Sequence, residues 1–223
     1  MAMCGRFVLS MLEQISERFS VENFSETKLT PRFNVAPTDG VAIIRTAERG
    51  RVVETVRWGL IPSWSKDRKG PLLINVRSET AGQKFKGILS RRRCLVPANG
   101  FYEWRKLGES KTPMFIHLPG MSLFAFAGLW DEWISEDGEV VRSCGILTTE
   151  ANRAISGIHQ RMPVVFQPQA EAVWLDPGVS DVQKLEALLK PCPDELIEMH
   201  AVSSRVNSVR NDSPDLIEPR SAE

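Results

Sequence analysis

Between residues 94 and 148 the sequence offers five β-prone segments in succession, 94–98, 101–105, 113–118, 123–130 and 140–148, parted only by Gly, Pro or charged turns. Strands in runs, with helices inserted around them, do not build the strict strand–helix alternation of a parallel sheet. A further pair, 41–46 and 51–58, faces itself across the turn at 48–50 and reads as a β-hairpin. The expected fold is therefore α+β, a single domain with a mainly antiparallel, barrel-like β core flanked by short helices.

The helical segments are short. Ser10-Met11-Leu12-Glu13 has capping-box form, and Met11, Leu12, Ile15 and Phe19 then recur at helical spacing. Further helices are expected over 83–90, 151–158, 168–175 and 181–190, and short strands at 72–75, 164–166 and 196–202. No Ser/Gly-rich linker, repeat or low-complexity tract divides the 223 residues, so 3–223 reads as one domain. Met1-Ala2 reads as a cloning remnant ahead of a natural start at Met3.

Composition narrows the function classes. No apolar run approaches the roughly 20 residues of a membrane-spanning helix, and no signal peptide precedes the first polar segment. A soluble cytoplasmic protein without a membrane partner is expected, with a monomer as the default. Cys4, Cys94, Cys144 and Cys192 stand far apart, with no CxxC pair and only His117, His159 and His200 to assist them. That spacing argues against a structural zinc site and a disulfide framework, and no metal or cofactor is expected. Net charge is zero, but its distribution is uneven. Between Trp64 and Arg93 nine basic residues face two acids, whereas from Pro168 to Glu198 seven acids face two lysines. A neutral chain with one basic side suits a phosphate backbone, although such runs also form plain solvated faces.

Cys4 has distinctive chemistry once it is the first residue. Initiator Met is normally removed before a small residue, so a chain beginning Met3-Cys4 would mature to one beginning at Cys4. A terminal cysteine carries an amine and a thiol on adjacent carbons. The amine condenses with an aldehyde to a Schiff base, and the thiol then adds to the same carbon, closing a five-membered thiazolidine that an internal cysteine cannot form. With an α-amino pKa of roughly 7.7–8.0 and a thiol pKa of roughly 8.5, about a tenth of the amine is free near neutrality.

Four local groups accompany it: Met3-Cys4-Gly5-Arg6-Phe7, Ile74-Asn75-Val76-Arg77-Ser78-Glu79-Thr80, Gly100-Phe101-Tyr102-Glu103-Trp104 and Ile158-His159-Gln160-Arg161-Met162-Pro163. In this order, and with Asn34-Val35-Ala36-Pro37 and Trp58-Gly59-Leu60-Ile61-Pro62, they closely resemble the SRAP family of SOS-response-associated peptidases, whose members shield abasic sites in single-stranded DNA. The resemblance covers nearly the whole chain. It implies that Cys4 captures the ring-opened sugar aldehyde as a stable thiazolidine crosslink, protecting the strand in a largely single-turnover reaction, with possible leader self-removal and lyase-type activity. Glu103, between Tyr102 and Trp104, is the expected proton donor, because burial beside aromatics disfavours its charge. His159 suits proton transfer near neutrality, and Asn75 suits orienting the amine or a sugar oxygen. Arg6, Arg77 and Arg161 are the expected phosphate contacts, or else ion-pair partners of acids such as Glu79. Trp64 is the expected stacking or wedging residue, although its surroundings lack the double Trp of some relatives. Association with the nucleoid would follow from binding damaged DNA.

The residues leave two other readings open. Cys4 as nucleophile, His159 as base and Asn75 at an oxyanion would make a cysteine peptidase or amidohydrolase. The basic stretch and Trp64 alone would make a noncovalent single-strand-binding module.

Overall fold

A computed structural model describes residues 4–24, 28–67, 70 and 72–220. The expected remnant Met1-Ala2, along with Met3 and the basic-stretch residues Arg68 and Lys69, lies outside them. In chain order the elements are β1 (Phe7–Leu9), α1 (Ile15–Phe19), β2 (Arg32–Val35), β3 (Gly40–Ala47), β4 (Gly50–Trp58), β5 (Asn75–Arg77), α2 (Ser78–Lys84), α3 (Lys86–Arg91), β6 (Arg93–Ala98), β7 (Gly100–Leu107), β8 (Ser110–His117), β9 (Phe124–Ile134) and β10 (Val140–Glu150). There follow α4 (Arg153–Ser156), β11 (Arg161–Pro163), β12 (Val165–Phe166), α5 (Pro168–Leu175), α6 (Val182–Glu186) and β13 (Glu198–Ala201), then 3-10 turns at Ser204–Asn207 and Pro214–Ile217.

Five strands close on themselves. β10 pairs with β4, β4 with β3, β3 with β6, β6 with β9, and β9 returns to β10. Only the β10–β4 contact in this ring is parallel, so the expected mainly antiparallel barrel is present. Closure leaves the ring no open edge. β10 outruns the barrel: its second half lies between β5, paired in parallel, and β11, paired antiparallel. Two of the sequence groups singled out above are thereby laid on either side of one strand.

A second sheet, ordered β13-β8-β7-β1-β2, packs against the barrel. Phe7 and Phe101 sit opposite each other on β1 and β7. The Phe7 ring meets Trp58 edge-on at 5.1 Å and Phe126 at 6.0 Å, and Phe101 meets Phe126 at 5.9 Å. Such edge-to-face contacts suit the ring quadrupoles. Side chains alternate along a strand, so Val8 and Tyr102 point the other way, into a small second core with Phe115, Val202, Val206 and Leu216.

The chain between Val202 and Leu216 forms a strap over that second core. Asn34, fully buried, holds it. Its amide donates to the carbonyls of Val206, Ser208 and Asn211 at 3.2, 3.0 and 2.8 Å, while its Oδ1 accepts from Arg6 at 2.8 Å. Asp212 accepts from the backbone N–H groups of Phe33 and Asn34 and from the Arg32 guanidinium. Replacing Asn34 by Ala strands four partners at once, most of them partly buried. We expect Asn34→Ala to cost about 2–3 kcal/mol in a denaturant titration; an unchanged midpoint would show that the strap does not depend on it.

Several local expectations shift. The Ser10 capping box does not form: the first turn is a 3-10 helix at Leu12–Gln14 with no side-chain cap. Asn99 instead braces the segment leading into it, its Oδ1 accepting from the N–H groups of Ser10 and Met11 at 2.8 and 3.2 Å. The helix expected over 83–90 is two helices, α2 and α3, broken where Phe85 leaves helical geometry (φ −126°, ψ 27°). The strand expected at 72–75 begins only at Asn75, because β10 offers parallel partners from Ile146 onward. The helix over 151–158 shrinks to α4 and that over 181–190 to α6, with Asn152 and Asp181 capping them. No helix among the described residues is long and apolar enough to cross a membrane.

Candidate functional site

β1 lies beside β7, and Tyr102 N–H donates to the Arg6 carbonyl at 3.0 Å. This register brings Cys4 against Glu103. The Cys4 backbone nitrogen donates to Glu103 Oε1 at 2.5 Å, joining residues 99 positions apart. Gly100 permits the approach of β7 to β8, since a Cβ there would collide with the Phe115 ring and reach within 2.8 Å of the Ile116 carbonyl. Cys4 is fully buried and adopts φ +44°, the left-handed region that favours glycine.

Glu103 is 6% exposed. Burial pushes its carboxyl up to about 7, against the opposing pull of N–H groups from Cys4 and Trp104. It is therefore a group that exchanges a proton at neutral pH. Burial, with help from the Glu103 charge, also pushes the Cys4 thiol well above its ordinary value, so the sulfur is a neutral thiol.

A second group gathers around the end of β10. Asn75 and Arg77 on β5 lie opposite Ile146 and Thr148, and Arg161 on β11 lies opposite Glu150. Arg161 grips Glu79 with both terminal nitrogens, at 2.7 and 2.9 Å, and donates to the Thr148 carbonyl at 2.7 Å. Its Nε is buried without a hydrogen-bond partner. The hydrogen bonds from Arg161 hold the Glu79 carboxyl below its ordinary range. His159 Nδ1 accepts from the Arg161 N–H at 3.1 Å, which leaves the proton of the neutral ring on Nε2. Burial lowers the His159 pKa, and the charges of Arg161 and Lys106 lower it further.

The remaining expected residues fall in different settings. Arg6 is tied down, donating to Asn34 and to the carbonyls of Val206 at 2.9 Å and Asn207 at 3.4 Å. Arg77 is exposed. Trp64 is 59% exposed, its ring 6.1 Å from Phe85. The loop carrying Trp64 is pinned to the β9–β10 hairpin: Ile61 N–H donates to Ser143 Oγ at 2.8 Å, Ser63 N–H to Asp131 at 2.7 Å, and Trp133 Nε1 to the Ser65 carbonyl at 2.7 Å. Of the basic stretch, Arg92 pairs with buried Asp131, and Arg93 spends its guanidinium on four backbone carbonyls. Lys66, Lys84, Lys86 and Arg91 are exposed.

Sequence reasoning missed Thr148, Asn34 and Asp131, which hold Arg161, Arg6 and the Trp64 loop. Asn34 had a signal, since it stands in one of the recurring strings. Thr148 and Asp131 had none, because their partners are distant in sequence and their spacing carries no period. Among the described residues no cluster of three or more His, Cys, Asp or Glu is arranged to hold a metal ion.

The architecture and the chain both have relatives. A crystal structure of a protein from Bacteroides thetaiotaomicron superposes with a TM-score of 0.87 at 24% identity, covering 97% of this chain and all of that one, which is a likeness of fold. A Bordetella bronchiseptica protein superposes at 0.77 with 25% identity, covering 90% of this chain and 100% of the other. Abasic site processing protein YoqW of Bacillus subtilis (strain 168) is 42% identical over 222 residues, 97% of this chain and 99% of that protein. Abasic site processing protein HMCES of Gallus gallus is 32% identical, over 97% of this chain and 78% of its own length. Residues 3–209 match the family model for the SOS response associated peptidase (SRAP), and on that match and those identities the chain belongs to that family.

Proposed function

We propose that this protein recognises abasic sites in single-stranded DNA and captures them covalently through Cys4 once that residue is the amino terminus. The observation that carries the reading is the Cys4 nitrogen 2.5 Å from a carboxyl whose pKa is about 7. An amine at that position attacks the sugar aldehyde to give a carbinolamine. Glu103 gives its proton to the departing hydroxyl, water leaves, and the iminium returns its nitrogen proton to the Glu103 carboxylate, so that a neutral imine remains. The Cys4 sulfur then adds to the imine carbon while the thiol proton passes to nitrogen, closing the thiazolidine. The net change is loss of one water. A Schiff base alone is an electron sink that promotes β-elimination and strand scission, and ring closure removes it.

The other residues support this chemistry. His159, with its proton on Nε2, is a hydrogen-bond donor for a sugar oxygen, and Asn75 orients the amine or the sugar. Arg77 and the exposed lysines of α2 and α3 contact flanking phosphates. Arg161 and Arg6 act from within their networks, Arg161 holding Glu79 and Arg6 holding the strap. The same features disfavour a peptidase. A peptidase needs a ring nitrogen free to take the thiol proton, whereas the His159 Nδ1 already accepts from the Arg161 N–H.

The test is a denaturing gel of the mature chain with three substrates. An abasic single strand should yield one shifted band, stoichiometric with protein. An intact strand should yield none, and a peptide library should show no repeated turnover. Multiple peptide cleavages per protein without any DNA adduct would overturn the proposal.

A further inference from the structure

A groove of about 520 Å³ opens at the far edge of the second sheet, where β13 meets the 214–219 segment. Its lining is rich in acceptors. His117 is 7% exposed and its Nδ1 donates to the Leu118 carbonyl at 2.8 Å, so in the neutral ring Nε2 is left as a bare acceptor. His200 Nε2 donates to the Ile217 carbonyl at 2.8 Å, which leaves its Nδ1 in the same state. The two rings lie 5.4 Å apart and both line the groove, and among the described residues no hydrogen-bond donor meets either remaining nitrogen. Glu198 and Glu218 add carboxylates, Pro214 and Ile217 add apolar walls, and no lysine or arginine among the described residues lines the groove. Glu198 closes the acidic run 168–198, which the DNA chemistry leaves unused.

β13 also presents an open backbone edge. Val202 N–H donates to the Pro113 carbonyl at 3.0 Å, and bonded pairs alternate along an antiparallel ladder. His200 and Glu198 therefore turn their backbone groups toward β8, while Met199 and Ala201 turn theirs away. The Ala201 carbonyl takes the Arg220 N–H at 2.8 Å. Met199, which borders the groove, has no such backbone partner among the described residues.

We propose that this groove holds a lysine or arginine side chain from an extended segment of a partner protein, which adds a strand to β13 at Met199. Bare imidazole nitrogens and carboxylates accept hydrogen bonds and give none, so they call for a donor that carries positive charge. Among the described residues they are not arranged to share a metal ion, which favours an ammonium or guanidinium head with several N–H groups. Pro214 and Ile217 suit the aliphatic stem behind such a head. A phosphate backbone would be repelled. The open N–H and C=O of Met199 suit pairing with an extended chain. Strands β8 and β7 separate β13 from β1, so docking here is spatially apart from Cys4 and does not depend on the abasic-site reading.

The test is an NMR titration of the full chain with the capped peptide Thr-Val-Lys-Val-Thr, its Arg counterpart and a Leu control, carried into the millimolar range. Both basic peptides should give saturable shifts at the Met199 amide and at the His117 and His200 rings, and should slow hydrogen exchange of the Met199 amide. The Leu control should bind about tenfold more weakly, the effect of losing a charge-assisted hydrogen bond. Glu198→Gln combined with Glu218→Gln should bring the Lys peptide down to the level of the Leu control while the thermal midpoint stays that of the wild type. No shift at Met199 with either basic peptide, equal affinity for the Leu control, or unchanged affinity in the double variant would overturn the proposal. So would spermidine binding as tightly as the Lys peptide with Met199 exchange unaltered, which would assign the groove to a free polyamine.

Discussion

A chain that begins at Cys4 should give a denaturant-resistant adduct with abasic single-stranded DNA, and the chain that retains residues before Cys4 should give none until it is processed. The expected difference exceeds a hundredfold in yield, because an acylated nitrogen cannot form an imine at all. Cys4→Ser with a free terminus separates the two halves of the reaction. Its amine still forms a Schiff base that borohydride traps, but its hydroxyl does not close the stable ring, so strand scission should rise as stable adduct disappears. Equal adduct from the mature chain, the unprocessed chain and the serine variant would refute the mechanism. The structure bears on this through Glu103, whose Oε1 already receives the Cys4 nitrogen as an amide. On processing, that contact becomes one between a carboxyl and an amine.

Glu103→Gln should slow capture by about a hundredfold, the lower part of the range for removing a general acid. Glutamine keeps the shape and accepts the hydrogen bond but has no proton to give. Since burial raises the Glu103 pKa to about 7, the proton-donating form declines as pH rises through 7, and the wild-type profile should bend there while that of the variant does not. A variant as fast as the wild type would remove Glu103 from the acid role. The same shift has a stability consequence, cleanest in the unprocessed chain, where the Cys4 nitrogen carries no charge. Below the ordinary glutamate pKa both folded and unfolded states are protonated, and burial of the carboxyl costs nothing extra. Between that value and about 7 the unfolded state ionises first, so stability falls and the full penalty applies above 7. Glu103→Gln should therefore be neutral at pH 4 and stabilising by roughly 2–3 kcal/mol at pH 8.

Much of the fold was legible because its signals are local. The succession of strands from 94 to 148 dictated an antiparallel core, and the hairpin of β3 and β4 followed from its turn. What stayed illegible depends on partners far apart in the chain. Ser10 has the residues of a cap, yet Asn99 braces that segment instead, and nothing at position 99 advertises that. Phe85 sits in a helical pattern but breaks the helix near the Trp64 ring. The site divides the same way. Cys4 was nominated from its chemistry and Glu103 through the family resemblance, and the two are in contact. Arg6 and Arg161 were nominated as phosphate contacts because they fall inside the same motifs, with an ion pair to an acid such as Glu79 as the alternative, and a motif does not distinguish a guanidinium facing solvent from one holding Asn34 or Glu79.

The position of β1 also has a mechanical meaning. Were the chain fastened to DNA through residue 4, as proposed, any tension on the strand would enter the fold at a three-residue strand. β1 is flanked on both sides, by β7 and by β2, and Arg6 is bolted to the far end of the chain at Val206. Pulling on the anchor must therefore shear two ladders and lift the strap together, rather than peel one edge at a time.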